Sequence, residues 1–123
     1  MRIYISGPIT GQDKEAVGRA FAEAKRVIAE AGHTPVSPTD NGLPASAAYE
    51  EHLLADFGLL LSCDAIMLLY GWRGSKGCRM ENCIASNMGK IIFTSFRSLA
   101  SVDARGLRPA AALAKEWWGG EDI

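Results

Sequence analysis

Two acidic side chains in this chain fall on helix faces that solvation alone would leave apolar. Glu81 lies in the run Gly77-Cys78-Arg79-Met80-Glu81-Asn82-Cys83-Ile84-Ala85-Ser86-Asn87-Met88, whose spacing predicts a helix of about three turns. Residues three and four apart share a helix face, so Glu81 is grouped with Gly77, Cys78, Ile84, Ala85 and Met88, while Arg79, Cys83 and Ser86 point away. Asp56 repeats the pattern in a helix predicted from about Ser46 to Ser62, where its face-mates are His52, Leu53, Leu59, Leu60 and Cys63. A carboxylate desolvated on such a face costs on the order of several kcal/mol unless something pairs with it. Each acid alone has a structural alternative. Glu81 could be a buried acid satisfied by backbone or tyrosine hydroxyls, and Asp56 could reach water past the strand ends. Two such acids on consecutive helices point instead to a shared site. Paired carboxylates suit chemistry at an anomeric carbon, one attacking or shielding the oxocarbenium-like centre while the other handles the leaving group's proton.

The first predicted helix, Asp13 to Ala31, shows what a helix without such a task looks like. Val17, Ala20, Phe21, Ala24, Val27, Ile28 and Ala31 make its apolar stripe, and Lys14, Glu15, Arg19, Glu23, Lys25, Arg26 and Glu30 keep off it. Around these helices the chain alternates strand and helix. Arg2 to Ser6 is a β-rich run, and His33 to Ser37 is a weaker one whose prolines suggest an edge strand. Ala65 to Tyr70 is a continuous apolar run of the kind buried in parallel sheets, and Lys90 to Thr94 is a fourth strand. Arg97 to Gly106 reads as a polar loop, and Pro109 to Trp118 as a last helix. The βαβαβαβ rhythm predicts an α/β fold: a three-layer, Rossmann-like parallel sheet of four to five strands with helices on both faces. In such folds ligands bind beyond the C-terminal strand ends, here the loops Gly7–Gly11, Ser37–Asn41 and Gly71–Gly77.

Gly7-Pro8-Ile9-Thr10-Gly11 lacks the dinucleotide fingerprint and the P-loop ending. It is either a tight strand-to-helix turn or a place where a flat ring or sugar approaches the backbone. Ser75, Lys76 and Gly77 open the Glu81 helix, where free N–H groups and the helix dipole favour an anion. Ser75 either caps that helix or holds a phosphate or sugar hydroxyl. Tyr4, inside the first strand, is either core or a hydroxyl donor to the site, whereas Asp64 looks like a structural turn residue. His52 has the phase to neighbour Asp56, and no Ser-His-Asp or Cys-His order emerges.

At 123 residues the chain is expected to be one domain, 1–123, with 48% hydrophobic and 22% charged residues. A net charge of −1 provides no basic field, so no nucleic-acid polymer is expected as partner. The longest apolar stretch, Leu53 to Tyr70, is cut by Asp56 and Asp64, so no membrane partner is expected. The N-terminus enters a strand without a signal-like lead, so a cytoplasmic location is expected. Three cysteines without paired spacing and two histidines call for no disulfide frame, metal or cofactor.

Tyr4-Ile5-Ser6-Gly7-Pro8-Ile9-Thr10-Gly11, the Asp56/Asp64 pair and Gly77-x-x-x-Glu81 together resemble the nucleoside 2-deoxyribosyltransferase superfamily. The nearest likeness is to its short, uncharacterised bacterial and phage members, over most of residues 2 to 95. The resemblance implies a flavodoxin-like fold and chemistry at the N-glycosidic bond of a small-molecule nucleoside or nucleotide. It implies that Glu81 is the nucleophile forming a covalent glycosyl intermediate, and that Asp56 is the acid assisting departure of the base. Tyr4 and Ser75 match the branch that cleaves deoxynucleoside monophosphates, where a serine at the latter position binds the 5′-phosphate and the transferase branch has aspartate. Thr10 departs from that branch, which carries arginine near the first loop. With Gly7, Pro8, Ile9, Thr10, Gly11 and Gly77 as the substrate-binding loops, the resemblance also implies a homodimer or larger homo-oligomer. Two alternatives of other classes are a catalytically quiet sensor of a nucleotide-derived ligand and an interaction module displaying Trp117-Trp118.

Overall fold

The computed structural model describes residues 1–102. Its strands are β1 (Arg2–Ser6), β2 (Thr34–Val36), β3 (Ala65–Leu68) and β4 (Ile91–Phe93), and its helices are α1 (Lys14–Glu30), α2 (Tyr49–Leu61), α3 (Lys76–Asn87) and α4 (Phe96–Ala100). The strands form one parallel sheet in the order β2-β1-β3-β4. The two prolines flanking Val36 are thus in or beside an edge strand, where a missing N–H is tolerated.

Strand alternation assigns the side chains of β1 to two different layers. Ile3 and Ile5 join Phe21, Ala24 and Ile28 of α1, Ala65, Met67 and Phe93 of the sheet, and Leu99 of α4 in one apolar cluster. Tyr4 points to the other face, with Ile66, Leu68, Leu60, Cys63 and Ala85, under α2 and α3. The register Tyr4↔Ile66 and Ser6↔Leu68 keeps these two faces aligned across β1 and β3. Asp64 fixes the other end of this pair, its carboxylate accepting from the Arg2 amide at 2.9 Å. From β1 the chain goes to β2 on one side and then crosses to β3 on the other. The switch in strand order therefore lies between β1 and β3, and the crevice beyond their C-terminal ends is where ligands of this fold class bind.

Several expected boundaries shift. The second helix begins at Tyr49 rather than Ser46, because Pro44–Ala47 closes a turn with Ala47 N–H on the Pro44 carbonyl at 3.0 Å. Within the stretch read as a polar loop from Arg97, residues up to Ala100 belong to α4, capped by Ser95 Oγ accepting from Ser98 N–H and anchored by the buried Leu99. Met88, placed with Glu81 on the apolar face, is 60% exposed at the C-cap of α3. The predicted helix Pro109–Trp118 and the Trp117-Trp118 pair lie outside the described residues. Among the described residues no helix is long and apolar enough to cross a membrane.

Candidate active site

β1 ends at Ser6, and the next residue is glycine, packed closely: a Cβ on Gly7 would stand 2.9 Å from Leu69 Cδ1 and 3.3 Å from Phe21 Cε2 and would push those side chains aside. The chain can therefore turn tightly off the sheet into Pro8-Ile9-Thr10 before Asp13 caps α1 through Ala16 N–H. Tyr4 and Ser6 share strand parity, so both hydroxyls project to the α3 side. There they meet Glu81, which α3 carries in its second turn. Tyr4 Oη donates to Glu81 Oε2, and Ser6 Oγ donates to Oε1 at 2.8 Å. Each carboxylate oxygen thus has one hydroxyl partner and retains a further lone pair.

Glu81 is 7% exposed. Burial pushes its carboxyl up from 4.5 to about 7, further than the Tyr4 and Ser6 hydroxyls pull it down, and the charge of Asp56 adds to the rise. The Tyr4 phenol is driven well above its ordinary value by burial and then by Glu81, so it stays a donor. Asp56, half-buried on α2, is also raised by burial, and its drop from the Asn41 amide and His52 does not cancel that. Asn41 Nδ2 donates to Asp56 Oδ1 at 2.9 Å and lies 3.0 Å from His52 Nδ1.

Glu81 and Asp56 line one cleft of about 680 Å³. Gly7, Pro8, Ile9 and Thr10 form one wall and Gly74 to Cys78 another, with Pro38, Tyr49, Leu53 and Tyr70 completing it. The sequence-predicted residues Ser75 and Gly77 are therefore in the lining. Ser75 Oγ also caps α3, accepting from Cys78 N–H at 3.3 Å, so the two alternatives for this serine coexist geometrically. Two of the expected residues lie outside the cleft lining. Gly11 is outside the cleft and serves the turn, its φ of +76° being a conformation that glycine adopts without strain. Tyr4 is fully buried beneath the cleft and reaches it only through Glu81.

Sequence reasoning overlooked Ser6 and Asn41. Ser6 was accessible from strand parity, two residues after Tyr4. Asn41 carried no periodic signal, because its contact depends on how the β2–α2 connection folds back. His33 stands at the opposite, N-terminal edge of the sheet, its Nδ1 3.1 Å from the Met1 amine.

The parallel sheet, its strand order and the cleft at the β1/β3 switch define a Rossmann-like, flavodoxin-like α/β protein. Within that class the chain belongs to the family described as Domain of unknown function (DUF4406), whose model matches residues 1–94. No functionally curated protein matches it. Among solved structures, it is similar to a 2-deoxyribosyltransferase from Bacillus psychrosaccharolyticus, with TM-score 0.62 and 18% identity over 89% of this chain and 98% of the other. A 2-deoxyribosyltransferase from Leishmania mexicana matches with TM-score 0.59 and 20% identity over 74% of this chain and 61% of that one. The CMP N-glycosidase BcmB of Clostridium botulinum matches with TM-score 0.56 and 20% identity over 85% and 84%. At these identities the likeness is one of fold, and the fold is that of the nucleoside 2-deoxyribosyltransferases.

Proposed function

We propose that this protein cleaves or transfers the N-glycosidic bond of a nucleoside or nucleoside 5′-monophosphate through a glycosyl ester on Glu81. The observation that supports this most is the placement of Glu81: a nearly buried carboxylate on the floor of a cleft, oriented by two hydroxyls, with Asp56 lining the same cleft. In the first step a Glu81 oxygen attacks C1′ while the C1′–N bond breaks. The bonding pair leaves with the base, which takes a proton from Asp56. In the second step water or another base attacks C1′, Asp56 accepts the incoming proton, and Glu81 departs as carboxylate. The reactive microstate has Glu81 ionised and Asp56 protonated. Burial raises both acids above their ordinary ranges, and because the reaction needs one of them protonated and the other ionised, activity should follow a bell-shaped pH profile.

Ser75 and the Lys76 and Gly77 amides at the start of α3 supply donors for a 5′-phosphate, since first-turn amides have no intrahelical acceptor and the helix dipole favours an anion, while Cys78 N–H is held by Ser75 Oγ. The structures of similar fold include one described as a CMP N-glycosidase, which favours including nucleotides in the substrate panel.

A sensor role has one observation on its side: both Glu81 oxygens already have protein partners, as a purely structural acid would. The decisive experiment is incubation with deoxynucleosides, ribonucleotides and deoxynucleoside monophosphates, following free base by chromatography and a glycosyl mass increment on the intact protein. Glycosyl transfer predicts both signals for at least one substrate and their loss in Glu81→Ala. Saturable binding with no base released across the whole panel would establish the sensor instead.

A further inference from the structure

Asn41 sits in neither wall of the cleft, yet its backbone N–H and side chain together make four hydrogen bonds. Its backbone N–H closes the short turn Pro38–Asp40 on the Pro38 carbonyl at 3.3 Å. Its Oδ1 accepts from Leu43 N–H at 3.0 Å, a side-chain turn across Gly42, whose φ of +81° suits glycine. That bond fixes which end of the amide is oxygen, so Nδ2 must face α2. A flipped amide would aim oxygen at the Asp56 carboxylate and leave Leu43 N–H facing a donor. The two Nδ2 hydrogens then go to Asp56 Oδ1 at 2.9 Å and His52 Nδ1 at 3.0 Å. An amide nitrogen can only donate, so His52 Nδ1 must be an acceptor and the ring proton must reside on Nε2.

We propose that Asn41 is a positioning residue for the acid–base step: it occupies Asp56 Oδ1, leaves Oδ2 as the oxygen that exchanges the proton with the substrate, and orients the His52 ring through Nδ1. His52 is outside the cleft lining and acts only through Asn41 and Asp56. The inference rests on the glycosyl-transfer reading for its kinetic consequence, but its geometric content does not. The groups facing Asp56 are His52 on its own helix, Glu81 on α3 and Tyr4 on β1. Of these only His52 shares the Asn41 amide. Removing the amide therefore acts on Asp56 and His52 together while leaving the Tyr4–Ser6–Glu81 cluster intact.

The test compares the full chain with Asn41→Asp and Asn41→Ala. Asn41→Asp keeps an oxygen for Leu43 N–H and hence the turn, but replaces the donor by an acid. Asn41→Ala removes both. Carbon-13 carboxyl titration of Asp56 and nitrogen-15 shifts of His52 form one arm. The wild type should show the Nε2–H tautomer, and both variants should raise the Asp56 midpoint and release the tautomer preference. The second arm is the pH profile on whichever substrate the wild type turns over. Both variants should lower kcat on the order of tenfold to a hundredfold, less than loss of the acid itself, with KM little changed. The limb assigned to the acid should shift upward. If the Asn41→Asp Asp56 midpoint, His52 tautomer and pH limb all match the wild type, the proposal is overturned while the glycosyl reading stands. If the wild type turns over nothing, that reading fails, and the spectroscopic arm alone decides whether Asn41 holds Asp56 and His52.

Discussion

On the α1 side of the sheet, Ile3, Ile5, Phe21, Ala24, Ile28, Ala65, Met67, Phe93 and Leu99 pack into one apolar cluster. On the α2–α3 side the cluster of Tyr4, Ile66, Leu68, Leu60, Cys63 and Ala85 begins in the same way but ends, at the strand tips, in Tyr4, Ser6 and Glu81 hydrogen-bonded together. A single strand supplies both sides. Odd positions of β1 go to the first interior and even positions to the second. Because side-chain parity is fixed by backbone geometry, five residues can contribute packing and polar positioning without either compromising the other. The α1 face gains its stability mainly from apolar burial. The other face spends some of that gain on desolvating an acid, which is the usual sign of a functional cluster.

If this division is real, substitutions on the two faces should fail in different ways. Glu81→Ala should give the largest effect: turnover down by about 10⁴-fold or more and no glycosyl adduct, as expected for a nucleophile in a concerted set. Its checks are base release and intact mass, with circular dichroism retained. Ile28→Ala, at the far end of α1 and fully buried, should instead cost about 2–5 kcal/mol in urea denaturation. Its rate per folded molecule should stay within about twofold of wild type, a small change on the scale where 1.4 kcal/mol is tenfold. A folded Ile28→Ala variant with sharply reduced kcat would break the separation of the two faces.

The next effect is a pH dependence of stability centred on Glu81. Its folded-state value of about 7 lies above the ordinary 4.5, so the native protein binds this proton more tightly than the unfolded chain does. Between those values the native state holds the proton and the unfolded state does not, so stability falls as pH rises across that window. It is fully present below about 4.5 and lost by the time pH passes about 7. The difference corresponds to roughly 3 kcal/mol. Asp56, raised by burial, contributes in the same direction. Urea unfolding of wild type and Glu81→Gln across this range should show the slope flattening in the variant. Equal slopes would mean Glu81 is solvated in solution and does not belong to a buried cluster.

How much of this was legible from the chain depends on the range of the interaction. α1 was legible because its stripe is periodic, and the misplaced acid at Glu81 stood out because the same periodicity held around it. The edge position of β2 followed from two prolines, a purely local cause. Ser6 was one step of strand parity away from Tyr4. α4 was misjudged because the stretch from Arg97 onward read as a polar loop, whereas in the fold Ser95 caps a helix there and Leu99 completes the interior beneath β4. Asn41 was legible only as the end of the loop Ser37–Asn41, with no partner of its own. Its bonds to His52 and Asp56 span 11 and 15 residues through an irregular connection, and no pattern in the chain encodes that return.

Tyr4→Phe makes the smallest and sharpest cut, because it removes one oxygen at the point where the two roles of β1 touch. The ring remains in the α2–α3 cluster, so packing is kept, and Ser6 still holds Glu81 Oε1. What is lost is one donor to Oε2, a bond that pulls the carboxyl downward against burial. The Glu81 value should therefore rise further, and the pH window over which stability declines should extend upward. A hydrogen bond to a charged group is worth about 1.5–3 kcal/mol, part of which Glu81 recovers by holding its proton. Stability at low pH, where Glu81 is neutral, should thus change less than stability above neutrality. Turnover should fall on the order of tenfold, with the limb for Glu81 ionisation displaced to higher pH rather than abolished. A profile lowered uniformly with no displacement would mean that the Tyr4 hydroxyl orients Glu81 without setting its ionisation, and would leave Ser6 and Asp56 as the groups that do.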